Sequence, residues 1–201
     1  MSQAQPTPLP ASPDSAFAPL RQTLFAVLWA ATIIGSIGSF VRDVTSAWLV
    51  TDLSSSPAAV AMVQAAALPV FLLAIPAGVL SDMLDRRKLL ICVQLLLACV
   101  SVSLVILSLT DQHSVASLIM LTFIGGIGVA LMGPTWQAIV PELVDKKDFK
   151  NAVGLNSLGI NIARAVGPAL GGLLLASMGA AFTYGVDVLS YAVVIAALIW
   201  W

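Results

Sequence analysis

Gly78-Val79-Leu80-Ser81-Asp82-Met83-Leu84-Asp85-Arg86-Arg87-Lys88 is a short charged link between two long apolar runs, 57–80 and 89–109. A glycine at the end of the first run permits close helix packing. Asp82 stands where a carboxylate can cap a neighbouring helix N-terminus or pair with an arginine. Arg86, Arg87 and Lys88 favour the anionic cytoplasmic face of a membrane. Working outward from this link, four further apolar runs occupy 22–50, 114–140, 151–178 and 180–201. Each can cross a hydrocarbon core of about 30 Å as a helix. The expected fold is therefore all-α and integral to the membrane, with six transmembrane helices within residues 21–201.

Composition agrees. Of 201 residues, 59% are hydrophobic and 9% are charged, against roughly 25% charged in a soluble domain. A soluble globular domain, a nucleic-acid binder and a disordered chain are all excluded by that balance. The net charge of −1 recruits no acidic partner. Residues 1–20 are polar and carry Pro6, Pro8, Pro10, Pro13 and Pro19, the pattern of a disordered tail. Arg21, Arg86, Arg87, Lys88, Lys146, Lys147 and Lys150 are seven of the nine basic residues, and all fall on one side of the predicted spans. The opposite links hold Asp52, Asp111 and the single histidine, His113. The positive-inside rule then puts the N-terminus in the cytoplasm, and six spans return the chain to the same side. The expected location is the inner (cytoplasmic) cell membrane, with the lipid bilayer as the surrounding partner.

The first three spans echo the last three. Gly35-Ser36-Ile37-Gly38 reappears as Gly125-Gly126-Ile127-Gly128, and Pro76-Ala77 as Pro168-Ala169. An odd number of spans per unit inverts the second copy in the membrane, giving two inverted three-helix repeats, an architecture found in transporters.

With these residues in view, the link at 78–88 resembles the signature between the second and third helices of the major facilitator superfamily, G-x-L-x-D-R-x-G-R-[RK]. Gly78, Leu80, Asp82, Arg86 and Arg87 match, whereas Met83 replaces a usual basic residue and Asp85 a usual glycine. The resemblance implies a conformational latch in which the aspartate contacts the other six-helix half of a twelve-helix transporter. In the fifth span, Gly167-Pro168-Ala169-Leu170-Gly171-Gly172 resembles the G-P-x-x-G-G core of proton-coupled drug antiporters of the same superfamily. The glycines allow close helix approach, and Pro168 removes a backbone donor and can bend the helix. Residues 43–53, 134–138 and 161–168 are similar to the enterobactin-exporter-like group, which is associated with efflux of siderophores and drugs.

Four ionisable residues fall inside spans: Arg42, Asp43, Arg164 and Asp187. At mid-helix each costs about 2.5–3.5 kcal/mol unless paired or wet. Neighbours on a helix point about 100° apart, so Arg42 and Asp43 are expected to face different surroundings. Asp43 shares a stripe with Ser36, Ser39 and Ser46, as if lining a cavity. Arg42 shares its side with Gly35, Gly38 and Thr45, as if facing another helix. The functional expectation is that Asp43 or Asp187 takes up a proton during transport, with Arg164 tuning it. The structural alternative is a fixed salt bridge between helices. Gln64, Trp136, Gln137 and Asn161 are the candidates for a substrate cavity.

No H-E-x-x-H, Walker motif or Cys/His metal cluster occurs, so neither enzyme chemistry nor a metal or cofactor is expected. The expected function is proton-coupled efflux of a small siderophore-like or drug-like molecule by alternating access. Since the superfamily usually has twelve helices, three forms stay open. These are a half that needs a second six-helix half, a homodimeric half-transporter, and a truncated membrane interaction protein that transports nothing.

Overall fold

A computed structural model describes residues 16–66 and 73–201. Among these residues the regular structure is entirely helical. A 3₁₀ turn, Ala18–Arg21, with Pro19 buried, leads into α1 (Thr23–Leu53). The tail expected over 1–20 is thus ordered at its end, and residues 1–15 lie outside the described residues. Next come α2 (Pro57–Ala65), α3 (Ala74–Met83), α4 (Arg86–Leu109), α5 (Val115–Leu143) and α6 (Phe149–Trp200). Four of these helices are long and apolar enough to cross a membrane: α1, α4, α5 and α6.

The ends of the helices have local causes. Asp85 adopts extended φ/ψ and its carboxylate accepts the Lys88 N–H at 3.1 Å, which caps α4. The third span consequently begins at Arg86, so Arg86, Arg87 and Lys88 form its first turn and not a loop. Ser114 and Ser117 close a reciprocal capping box at the start of α5. The 52 residues of α6 are two helices merged across Gly179, whose φ of 81° is readily reached only by glycine. The limbs on either side are 149–178 and 180–200. The second predicted span, 57–80, is met by α2 and α3, with 67–72 between them outside the described residues.

α1 packs most extensively on α6, α4 packs on α6 and α5, and α3 packs on α5. Lipid tails are as apolar as leucine, so close packing rather than water exclusion must hold such helices together. Glycines supply it from both sides of α1. A Cβ on Gly167 would lie 2.5 Å from the Phe40 Cβ, and one on Gly171 3.1 Å from the Val41 Cα. On the other side, Gly35 is closed by Val194, and Gly38 by Ser190 and Asp187 of the second limb. Two expected close approaches are absent: a Cβ on Gly78 or on Gly172 would meet nothing within 4 Å. Gly172 follows Gly171 by one residue and is turned off the seam.

Apolar clusters occupy the two ends of the bundle. Phe25, Leu28, Leu90, Ile139, Leu155 and Leu198 fill one. Leu49, Val50, Leu104, Leu118 and Tyr184 fill the other. Between them along α1 and the second limb of α6 lies a polar layer that includes Arg42, Thr45, Ser46, Asp187, Ser190 and Tyr191.

Candidate transport site

The polar layer centres on Arg42. Its Nη1 donates to the Tyr191 hydroxyl at 3.0 Å, and its Nη2 and Nε donate to Asp43 Oδ1 at 3.0 and 3.3 Å. Nη1 also stands 3.8 Å from Asp187 Oδ2, an ion-pair distance but not a hydrogen bond. Asp187 is wholly buried. Its Oδ2 accepts a 2.6 Å hydrogen bond from the Ser101 hydroxyl, while its Oδ1 has no hydrogen-bond partner among the described residues. The Tyr191 and Ser39 hydroxyls are 3.0 Å apart, as are those of Ser46 and Tyr184. Asp43 is 60% exposed at its side chain.

This geometry changes two expectations. Arg42 and Asp43 leave the helix in different directions, yet the long arginine side chain folds back and pairs with its neighbour. Arg164 does not join the carboxylates: it is exposed and makes no hydrogen bond or ion pair among the described residues. Arg42 is buried, with Tyr191 of the second limb of α6 as a hydrogen-bond partner. Ser101 and Tyr191 are additions to the expected residues, whereas Ser39 stands on the expected stripe of Asp43. Tyr191 did stand on the same helical stripe as Asp187, and that was the available signal.

At the basic end, Arg86 Nη1 donates to the Ala138 carbonyl at 3.1 Å and to Glu142 at 2.5 Å. Arg87 donates to the carbonyls of Leu198 and Ile199 at 2.8 and 2.6 Å, where a cation suits the C-terminal end of a helix. The start of α4 is thereby tied to the ends of α5 and α6. Asp82 and Gln64 have side chains outside the described set.

A cleft of about 160 Å³, partly open to the outside, separates α1, α5 and the first limb of α6. Trp29, Ser36, Met132, Gly133, Trp136 and Asn156 are among its walls. Trp136 Nε1 donates to Asn156 Oδ1 at 2.9 Å, and Trp29 Nε1 donates to the Leu155 carbonyl at 2.9 Å. Gln137 and Asn161 are exposed and do not line this cleft; the Asn161 amide bonds back to the Ser157 carbonyl. Of the substrate-cavity candidates only Trp136 is among the walls; Trp29 and Asn156 join it because the cleft forms only when three helices meet.

The profile of the transmembrane secretion effector family matches residues 14–201. The chain belongs to that family. It is a family of major facilitator type, and its members resemble this chain over stretches of moderate identity. The staphyloferrin A transporter of Staphylococcus aureus is 28% identical over 157 residues, covering 77% of this chain and 40% of that protein. Macrolide efflux protein A of Streptococcus pyogenes is 26% identical over 151 residues, covering 75% and 37%. The enterobactin exporter of Salmonella typhimurium is 28% identical over 108 residues, covering 54% and 26%. The matched stretch spans less than half the length of each of these relatives. Family membership makes this a multi-pass membrane protein of the transporter class.

Proposed function

We propose that the chain is one six-span half of an efflux transporter that exports a small molecule by alternating access in exchange for protons. The observation that carries this is the charge balance of the polar layer. Two carboxylates, Asp43 and Asp187, share the guanidinium of Arg42, and a buried oxygen of Asp187 has no hydrogen-bond partner among the described residues. Asp187 is wholly buried and Asp43 is exposed; a buried carboxylate not bonded to a cation is costly, and a proton on either carboxylate balances the charge of Arg42. Arg42 is bonded to Asp43 and stands just beyond bonding distance of Asp187. Protonation of Asp43 frees the guanidinium to move onto Asp187, and the return of the charge draws it back. Such a switch between two helices is what proton coupling requires.

The names of two matched relatives, a macrolide efflux protein and an enterobactin exporter, support outward transport of a small molecule. The Trp29–Trp136 cleft is the seat we assign to it. The basic link, the six spans as two inverted repeats and the cytoplasmic N-terminus belong to the same proposal. Asp82 and the Arg86–Arg87 ties would latch this half against a second half, or against another copy of the chain.

The test is efflux of a fluorescent substrate panel from proteoliposomes holding residues 1–201, with and without six further helices from a relative, and with crosslinking of the same samples. Efflux by the chain alone with a crosslinked dimer supports a homodimeric transporter. Efflux only with the added helices supports a half that needs a second half. No efflux in either case, from folded protein, contradicts transport and leaves a membrane interaction protein.

A further inference from the structure

We propose that the Trp29–Trp136 cleft receives an uncharged ring system carrying an oxygen acceptor, and that Asn156 sets this preference. The inference rests on the cleft being the seat of the transported molecule. None of the residues that wall the cleft is ionisable. Its free surface is dominated by indole, methionine and aliphatic side chains, which suit a flat apolar ring.

What polar capacity remains is defined by the hydrogen bonds already made. Both indole N–H groups are used within the protein, by Leu155 and Asn156, so the tryptophans offer ring faces and no donors. The Trp136 N–H fixes the Asn156 amide: its oxygen must face the indole, because the flipped amide would oppose two donors. Among the described residues the Asn156 NH₂ group has no hydrogen-bond partner, and the Ser36 hydroxyl likewise makes no hydrogen bond. A ligand carbonyl or ether oxygen satisfies that donor. A cation gains from the indole faces, but it meets the positive end of the amide and no carboxylate. An anion finds neutral donors only, and must lose its water to reach them. Asp43 and Arg164 are not among the cleft's walls.

Two substitutions isolate the claim. A Cβ on Gly133 meets nothing within 4 Å, so Gly133→Leu fills the cleft without disturbing the packing behind it. Asn156→Asp keeps the shape and the acceptor for Trp136 and replaces the free donor by charge. The probes are 2-acetylnaphthalene, 2-naphthoate and 2-naphthylmethylammonium, which share one ring and differ in charge. Their binding is measured against the wild-type chain in nanodiscs, with empty nanodiscs subtracted. The expected result is that 2-acetylnaphthalene binds at least about tenfold tighter than either ion, a difference that one uncompensated polar group can produce. Gly133→Leu should abolish that binding, and Asn156→Asp should shift preference to the ammonium. If the wild type binds an ion as well as the ketone, and Gly133→Leu removes that binding, the assigned ligand class is overturned while the cleft stands. If binding survives Gly133→Leu, or no probe binds a chain of intact helix content, both the ligand class and the cleft as the seat are overturned.

Discussion

Alanine at Gly167 and alanine at Gly172 should have opposite effects, although both residues belong to one six-residue motif. In each case the substitution gains about 1 kcal/mol of helix propensity, so that gain cancels when the two variants are compared. The remaining difference is steric. At Gly172 the new methyl enters open space. At Gly167 it would lie 2.5 Å from the Phe40 Cβ and 3.2 Å from the Ile37 carbonyl oxygen. Carbon atoms rest about 3.5–4.0 Å apart, so α1 and the first limb of α6 must separate by roughly 1 Å or distort. Overpacking of this kind costs about 1–3 kcal/mol. Gly167→Ala should therefore unfold at lower temperature than Gly172→Ala, by about 2–4 °C for each kcal/mol in a chain of this size. Thermal unfolding in one detergent, followed by circular dichroism, reads the difference. Equal stability of the two variants would refute the glycine seam as the contact that joins α1 to α6.

Asp85→Ala removes the side chain that caps α4 and should destabilise the protein by about 1 kcal/mol, measured in the same unfolding assay. Arg42→Gln should be far more damaging, by about 3–5 kcal/mol, because it leaves the carboxylate of Asp187 buried without a cation. Adding Asp187→Asn to Arg42→Gln should restore much of that loss, and a strictly additive double variant would argue against their coupling. Arg87→Ala frees the last carbonyls of α6, and amide exchange should accelerate over 198–201 while α1 stays protected. Unchanged exchange there would mean the arginine does not hold that end.

Much of the helical layout was legible in the sequence, and the reason is physical. An apolar run of membrane length has few alternatives to a helix, so 22–50, 89–109 and 114–140 are each met by a helix within a few residues. Even the turn at Gly179 fell between two predicted spans. The site was less legible. Helical periodicity gives the direction in which Cβ leaves the axis, not where the end of an arginine comes to rest, and so the Arg42–Asp43 pair was missed. Arg164 was chosen on count of charges alone, which says nothing about which helices touch. Asp85 looked like a departure from a family pattern, yet an aspartate just before an apolar run is itself a helix-start signal. The tryptophan cleft had no local signature because its walls come from three separate helices, at 29–36, 129–136 and 156–160.

The most direct measurement of the central claim compares wild type with Asp187→Asn in proteoliposomes of the active assembly, recording both proton-gradient-driven efflux and gradient-independent exchange of the same substrate. Asparagine keeps the shape of Asp187 and can accept the Ser101 hydroxyl, but it carries no charge to exchange with Arg42. The expected result is that exchange persists while gradient-driven efflux is lost. Gradient-driven efflux at the wild-type level in Asp187→Asn would contradict the account.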